Sequence, residues 1–163
     1  MGKGGKVSVL FVCLGNICRS PAGEGIFKKM LNERVLADSY HVDSAGTSGW
    51  HINELPDRRM RLHGERRGYT FDSRSRKFTS SDFEKFDYIL AMDDNNYYDI
   101  LALAPDVEVQ KKVHRMVDFL QKLTHDHIPD PYYSGADGFE LVLDLLEDAC
   151  GGLLKEIESH DGK

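Results

Sequence analysis

One stretch of the sequence decides the fold: Val7-Ser8-Val9-Leu10-Phe11-Val12-Cys13-Leu14-Gly15-Asn16-Ile17-Cys18-Arg19-Ser20-Pro21. Residues 7–12 are an apolar run of β-formers, which is the pattern of a strand covered on both faces in a parallel sheet. The chain then turns at Gly15 and Asn16. Ser20 can cap free backbone N–H groups and Pro21 suits the first helical position, so we predict a helix from here to about residue 34.

Strands and helices alternate along the rest of the chain. We predict further strands at residues 40–45, 88–92 and 112–116, and further helices at residues 57–63, 95–103 and 139–157. This alternation predicts an α/β sheet with right-handed crossovers. The length of 163 residues fits a single domain. We expect residues 1–6 to be a flexible tail and residues 7–160 to be that domain.

The composition excludes some classes of protein. Hydrophobic residues make up 40% and charged residues 29%, and no segment approaches the roughly 18 apolar residues of a membrane span. The formal charge of −6 argues against a protein whose main role is nucleic-acid binding. One local run is basic, and it is either a solvated face or a collar that attracts an anionic substrate; it comprises Arg58, Arg59, Arg61, Arg66, Arg67, Arg74, Arg76 and Lys77.

The cysteines indicate a reducing compartment. Cys13, Cys18 and Cys150 are odd in number and too few for a disulfide framework, so we expect a cytoplasmic protein. Cys150 falls in the last predicted helix, where a core position is the better interpretation.

The loop at residues 13–19 has the composition of an anion site. Ligands of open parallel sheets bind beyond the carboxyl ends of the strands, where a helix N-terminus offers unpaired N–H groups and partial positive charge. Gly15 and Asn16 tolerate positive φ, so the loop can curl until its N–H groups point at one centre. Arg19 adds a planar two-pronged donor that matches phosphate oxygens.

Cys13 would stand in the middle of that site. The same positive field favours the nucleophilic thiolate at neutral pH, and the Ser20 hydroxyl is a possible further donor to the sulfur. The alternative is that Cys13 is a small buried hydrophobe and Arg19 a surface ion-pair partner. The complete pattern of residues 13–20 favours the nucleophile.

Transfer of phosphate to sulfur also needs a proton for the leaving oxygen. Asp130 is the candidate, because it lies in the loop before the last helix, on the sheet edge expected for the site, and Pro131 stiffens its position. The alternative is an Asp-Pro turn beside two half-buried tyrosines. Trp50, taken alone, fits a core residue, but beside Tyr132 and Tyr133 it predicts a slot deep enough to favour phosphotyrosine over phosphoserine.

Residues 13–21 together with Asp130-Pro131-Tyr132 resemble the signature of the low-molecular-weight protein tyrosine phosphatase family. The similarity extends through residues 43–47, 50–51, 86–93 and 145–150, and so covers nearly the whole chain after the tail. It implies an α/β three-layer sandwich, with a central four-stranded parallel sheet flanked by helices on both faces. It also implies that the protein uses no metal and no organic cofactor.

By position, the resemblance implies that Cys13 attacks phosphorus, Arg19 holds the phosphate and Asp130 protonates the leaving phenolate. Asp130 would then act as the base for the water that hydrolyses phosphocysteine. The implied substrates are phosphotyrosine-containing proteins and aryl phosphates, the product is inorganic phosphate, and we expect a monomer or weak dimer. The expected substrate-binding residues are Leu14, Gly15, Asn16, Ile17, Cys18, Ser20, Trp50, Tyr132 and Tyr133.

The sequence departs from the family pattern at Gly23, where alanine is usual, and near Ser73, where a histidine often precedes the pair matched by Ser75 and Arg76. Cys18 is either a packing residue or, as the resemblance implies, a resolving thiol that forms a reversible disulfide with Cys13.

Four alternatives share part of the pattern. A thiol-dependent arsenate reductase needs further cysteines in a mobile middle segment, and residues 72–105 contain none. Protein arginine phosphatases typically carry threonine where Ile17 stands. A silent phosphotyrosine-binding module would lose the nucleophile or the acid, and both Cys13 and Asp130 are present. A zinc site on Cys13 and Cys18 lacks a second Cys/His pair at a convincing distance.

Overall fold

The computed structural model describes residues 5–161, and a sheet of four parallel strands lies at its centre. Most of the predicted tail, residues 1–4, lies outside the described residues, while Gly5 and Lys6 are exposed and have no regular secondary structure. The strands lie in the order β2-β1-β3-β4. Their bounds are β1 Val7–Cys13, β2 Tyr40–Gly46, β3 Tyr88–Ala91 and β4 Val113–Arg115.

Helices cover both faces of the sheet. They are α1 Arg19–Glu33, α2 Arg58–Arg66, α3 Asp82–Lys85, α4 Asp94–Leu101, α5 Val107–Gln110 and α6 Ala136–Asp161. One hydrophobic cluster joins the sheet to α1, α2 and α6, and a second joins its other face to α3, α4 and α5. The predicted three-layer α/β sandwich with a four-stranded parallel sheet is therefore confirmed. No helix within residues 5–161 is long and apolar enough to cross a membrane.

The central strand β1 owes its continuous apolar run to burial on both faces. It pairs with β2 on one side and with β3 on the other, both in parallel. Val9 and Phe11 pack against the first cluster, whereas Leu10 and Val12 pack against the second. A strand buried on both faces has no polar face, so its sequence shows no alternation.

The four strands and the helices α1, α2, α4 and α6 lie within a few residues of their predicted positions. The short helices α3 and α5, and the 3-10 turns Ala37–Ser39 and Met116–Phe119, were not predicted. Each has three or four residues, too few to show a helical period in the sequence.

The predicted cap at the start of α1 is wrong. Cys18 occupies the N-cap position without a side-chain cap, and Ser20 and Pro21 are the second and third residues of the helix. The Ser20 hydroxyl instead lies 3.0 Å from Cys13 Sγ. A contact with the end of β1 therefore replaces local capping.

The strand order places a crevice at the end of β1. The chain passes from β1 to β2 on one side, and β3 lies on the other side, so the crossovers diverge between β1 and β3. Such a switch point opens a crevice beyond the carboxyl ends of the strands, which is where α/β proteins bind ligands. Cys13 ends β1 there, and Asp93 follows β3 closely.

Helix α6 holds the segment that follows β4. The Asp148 carboxylate accepts hydrogen bonds from the backbone N–H groups of Gln121, Lys122 and Leu123, each at 2.9 Å. Burial alone would raise the pKa of Asp148, but the three donors outweigh burial and keep the pKa below its ordinary value. Asp148 thus fixes the path of the chain towards Asp130.

Asp148→Asn should lower the free energy of unfolding at pH 7 by about 1–3 kcal/mol, because it weakens charge-assisted hydrogen bonds. A depressed pKa stabilises the folded state fully above the ordinary value, about 3.9, and loses this effect as the pH falls through the folded-state pKa. The gap between wild type and variant should therefore shrink near pH 3, in denaturant unfolding at both pH values. Glu65→Gln, at an exposed carboxylate on α2, is the control. A gap that is unchanged at about pH 3 would contradict this account.

Candidate active site

Residues 13–19, here called the cysteine loop, curl between β1 and α1 with carbonyls turned outward. The N–H groups of Thr47, Ser48 and Asp57 donate to the carbonyl oxygens of Cys13, Leu14 and Ile17, at 2.9, 2.9 and 2.6 Å. In the described part of the chain, no acceptor is hydrogen-bonded to the backbone N–H groups of residues 14–19. Unpaired N–H groups at the start of a helix provide a binding site for an anion.

Asn16 holds the loop in this shape. Its φ of 58° is left-handed, as predicted for the turn, and its side chain is buried. Its Nδ2 donates to Ser20 Oγ at 2.8 Å, and its Oδ1 accepts from the Arg76 N–H at 3.0 Å. Asn16 therefore ties the loop both to α1 and to the segment before α3.

Cys13 is 3% exposed, and two polar groups of Ser20 contact its sulfur. Sγ lies 3.0 Å from Ser20 Oγ and accepts from the Ser20 N–H at 3.4 Å. Because Asn16 already donates to Ser20 Oγ, the hydroxyl proton can go either to the sulfur or to Ala45 O, 3.3 Å away. Both Ser20 groups can thus stabilise a thiolate.

Arg19 is buried, with only 2% of its side chain exposed, so the interpretation as a surface ion-pair partner is wrong. Its Nη1 donates to Asp93 Oδ2 at 2.7 Å and to Ile128 O at 2.9 Å, and its Nη2 lies 3.7 Å from Asp130 Oδ2. Burial alone would lower the pKa of Arg19, but the charges of Cys13 and Asp93 outweigh burial and raise the pKa. The guanidinium stays charged.

Asp93 is the functional neighbour that the sequence analysis did not single out. It caps α4, with Oδ1 accepting from the Asn96 N–H at 2.8 Å, while Oδ2 holds Arg19. The sequence does carry a signal for Asp93, because an acidic residue stands just after the predicted strand that becomes β3, and β3 pairs with β1.

A cavity of about 170 Å³ opens over the loop. It is lined by Cys13, Leu14, Gly15, Ile17, Cys18, Arg19, Trp50, His51, Asp130, Tyr132 and Tyr133. The structure thus brings together all the predicted site residues except Asn16 and Ser20, which lie behind the loop. His51 is an addition to the predicted set.

The entrance of the cavity is aromatic. Trp50 is 74% exposed and is not a core residue, and Tyr133 is 95% exposed. Tyr132 is half-buried, and its ring meets that of Tyr133 edge-on, with centroids 4.9 Å apart. These three rings line the cavity above the buried side chains of Cys13 and Arg19.

The other two cysteines differ in their surroundings. Cys18 is buried and lines the same cavity as Cys13, and burial raises the pKa of its thiol, with a further contribution from Asp57. Cys150 is completely buried in α6, and its thiol donates to Gly23 O at 3.8 Å. The core interpretation of Cys150 is confirmed.

Two residues of the basic run, Arg67 and Arg76, are paired with carboxylates away from the cavity. Arg67 forms ion pairs with Glu140, Asp144 and Glu147 of α6. Arg76 bridges Asp43 and Asp82. These pairs do not favour a collar. Metal-ligand types cluster at His125, Asp126 and His127, with ligand atoms within 4.8 Å of one another, but none of the three lines the cavity over Cys13.

Known proteins are similar to this chain over most of its length. The family model described as low molecular weight phosphotyrosine protein phosphatase matches residues 8–162. The human low molecular weight phosphotyrosine protein phosphatase is 37% identical over 149 residues, which cover 91% of this chain and 94% of the human one. The chain therefore belongs to the low molecular weight phosphotyrosine protein phosphatase family, and the predicted enzyme class is confirmed.

Solved structures show the same fold. The crystal structure of protein tyrosine phosphatase from Entamoeba histolytica is 47% identical, with a TM-score of 0.93 and coverage of 96% of this chain and 99% of that one. The structure described as drosophila arginine phosphatase is 31% identical, with a TM-score of 0.83 and coverage of 92% and 97%. The fold is therefore shared by a protein described as a tyrosine phosphatase and by one described as an arginine phosphatase.

Gly46→Ala should distort the cysteine loop, because an added Cβ would lie 2.7 Å from Leu14 O and 3.1 Å from Asn16 N. Overpacking against backbone costs about 1–3 kcal/mol. We expect the Kd for inorganic phosphate, followed by Trp50 fluorescence, to rise about tenfold or more in a protein that still folds. Gly5→Ala is the control, since its Cβ would meet nothing within 4 Å. Wild-type affinity in Gly46→Ala would show that the loop tolerates displacement.

Proposed function

We propose that the chain hydrolyses phosphotyrosine and aryl phosphates through a phosphocysteine intermediate on Cys13, with Arg19 binding phosphate and Asp130 as general acid and base. One observation carries the proposal: Cys13, Arg19 and Asp130 line a single cavity at the carboxyl edge of the sheet. A nucleophile, an anion clamp and a carboxyl group are the three functions that a phosphomonoester hydrolase of this kind needs.

The phosphate would be held mainly by electrostatics. The unpaired N–H groups of residues 14–19 and the Arg19 guanidinium can surround the three non-bridging oxygens. The side chains of Asn16 and Ser20 shape the loop from behind rather than touching the phosphate. Phosphoryl transfer spreads charge over these equatorial oxygens, so preorganised donors stabilise its transition state more than they stabilise the bound substrate.

In the first step, the Cys13 thiolate attacks phosphorus and an S–P bond forms as the bond to the tyrosyl oxygen breaks. The leaving phenolate takes the proton of the Asp130 carboxyl group. Asp130 is suited to this role by its position, because its side chain lines the cavity that Cys13 also lines and is 44% exposed. The Tyr132 N–H donates to Asp130 Oδ1 at 3.0 Å and orients it.

In the second step, the Asp130 carboxylate takes a proton from water while the water oxygen attacks phosphorus. The S–P bond breaks, inorganic phosphate leaves and Cys13 returns as a thiolate. The Ser20 hydroxyl and N–H stabilise the thiolate as leaving group. Neither step needs an oxidant or a reductant. Asp130 gives a proton to the phenolate in the first step and takes one from water in the second.

The aromatic entrance supports a tyrosine substrate. Trp50 and Tyr133 rise above a buried floor, so a phenyl ring can span the distance between rim and phosphate while packing between aromatic walls. A phosphoserine side chain is shorter and lacks the ring. Phosphotyrosine-containing proteins are accordingly the proposed partners.

Phosphoarginine is the second candidate substrate, because a structural relative is described as an arginine phosphatase. Ile17 argues against it here: this residue lines the cavity with an apolar side chain where arginine phosphatases typically carry threonine. A binding module without turnover is less consistent with a site that keeps both Cys13 and Asp130.

We further propose that residues 7–160 act as one phosphatase domain and that the protein works as a monomer or weak dimer in the cytoplasm. The mechanism requires Cys13 as a free thiol, which a reducing compartment maintains.

The decisive test is an assay without metal on an aryl phosphate and on matched phosphotyrosine, phosphoserine and phosphoarginine peptides. We expect phosphotyrosine to be the preferred peptide, and Cys13→Ser to lose essentially all turnover, because a serine hydroxyl is a far weaker nucleophile at neutral pH. Cys150→Ser, at a buried cysteine remote from the cavity, is the control. Wild-type-like turnover by Cys13→Ser would end the proposed mechanism.

Asp130→Asn should lower kcat/KM most on substrates whose leaving group is a strong base and must be protonated as it departs. General acids contribute about 10²–10⁴-fold, so kcat/KM on phosphotyrosine should fall by about 100-fold or more. On 2,4-dinitrophenyl phosphate, whose leaving group needs no proton, kcat/KM should change far less. Equal losses on both substrates would remove Asp130 from the acid role. Asp137→Asn, on the first turn of α6, is the matched control.

A further inference from the structure

Arg59 lies outside the cavity yet contacts the loop that carries the proposed acid. We call residues 129–135 the acid loop. Arg59 Nη2 donates to Tyr132 O at 2.9 Å. Its guanidinium also lies over two rings, 5.3 Å from the centroid of Tyr132 and 4.8 Å from that of Phe139. These contacts place the side chain between the acid loop and the start of α6.

The acid loop has few other attachments. Within residues 5–161, two hydrogen bonds reach residues 129–135 from outside this loop: the Gly138 N–H donates to Gly135 O at 3.0 Å, at the start of α6, and Arg59 supplies the other from α2. The loop's own bonds are local, such as Ser134 N–H to Pro131 O at 2.8 Å. Pro131 is buried and Tyr132 is half-buried, so these two residues also pack against the protein. Asp130 adds an ion pair with Arg19, at 3.7 Å. A contact of that length in a partly exposed site holds a carboxylate weakly.

Arg59 is itself fixed by Asp57. The Asp57 carboxylate accepts from Arg59 Nε and Nη2, both at 3.1 Å, and from the Arg59 N–H at 2.8 Å as the cap of α2. The Asp57 N–H donates to Ile17 O of the cysteine loop at 2.6 Å. A continuous chain of hydrogen bonds therefore runs from Ile17 through Asp57 and Arg59 to Tyr132.

We propose that Arg59 is a positioning residue that, with Asp57, sets the distance between the cysteine loop and the acid loop and so holds Asp130 over the leaving oxygen. This inference rests on the acid role of Asp130 proposed above. Arg59 touches no reacting atom. Its planar fork is needed because it binds Asp57 with two nitrogens while one of them also reaches Tyr132 O, which a lysine ammonium cannot reproduce.

The role makes a distinctive kinetic prediction. A misplaced acid harms only leaving groups that need a proton, whereas a misplaced nucleophile or phosphate clamp harms every substrate. The parameter to compare is kcat/KM, because it reports the steps up to transfer of phosphate to Cys13 and not the later hydrolysis common to all substrates.

The experiment compares Arg59→Met with Arg58→Met, a neighbouring exposed arginine without a described contact to the acid loop. For Arg59→Met we expect kcat/KM on phosphotyrosine to fall about 10- to 100-fold, because a displacement near 1 Å can cost that much. On 2,4-dinitrophenyl phosphate it should change by less than about threefold. Arg59→Lys should show the same selectivity, and Arg58→Met should match wild type on both substrates. Melting curves verify that each variant folds.

The double variant Arg59→Met/Asp130→Asn separates this proposal from the one on which it rests. If Arg59 acts through Asp130, the double variant should be no slower on phosphotyrosine than Asp130→Asn alone. Equal losses by Arg59→Met on both substrates, no loss on either, additive effects or full activity in Arg59→Lys would each overturn the positioning role while leaving Asp130 as the acid. Absence of leaving-group dependence in Asp130→Asn itself would instead remove the acid, and the positioning role with it.

Discussion

The buried charge of Arg19 is the constraint on which the rest of the site depends. Water cannot solvate a guanidinium that is only 2% exposed, so the protein itself must supply an opposite charge and hydrogen-bond acceptors. Asp93 supplies the opposite charge from the end of β3, and Ile128 supplies a carbonyl from the segment after β4. One side chain thus fixes the start of α1 relative to two other parts of the sheet edge. It also leaves a second guanidinium nitrogen facing Asp130 and the cavity.

Side chains that lie behind the cysteine loop also fix the surroundings of Cys13. Asn16 and Ser20 never reach the cavity, yet they determine its shape, since one adopts the left-handed turn and the other brings its hydroxyl and N–H to the sulfur. The residues that line the cavity differ widely in solvent exposure, from the buried Arg19 to the almost fully exposed Tyr133.

The parts of the site that the sequence predicted correctly are those whose signals are local. The strand, the turn and the helix start at residues 7–21 follow one another directly, and the apolar run of β1 reports its burial on both faces. The proposed chemistry requires an acid, and Asp130, predicted for that role, lines the same cavity as Cys13. The contacts of Asp93 and Arg59 were not predicted, because they depend on how β3 and α2 lie against distant loops. The Ser20 cap failed for a similar reason, since contacts with Cys13 and Asn16 replaced the local preference.

The hydrogen bonds of the cysteine loop also bear on the order of folding. Arg19 meets Asp93 and Ile128 across 74 and 109 residues, and Asn16 meets the Arg76 N–H across 60. Contacts between residues so far apart in sequence carry a larger loop-closure entropy than local contacts do. No contiguous fragment ending before residue 128 can assemble the complete cradle. A nascent or truncated chain would therefore carry residues 13–19 without the complete set of contacts around Arg19.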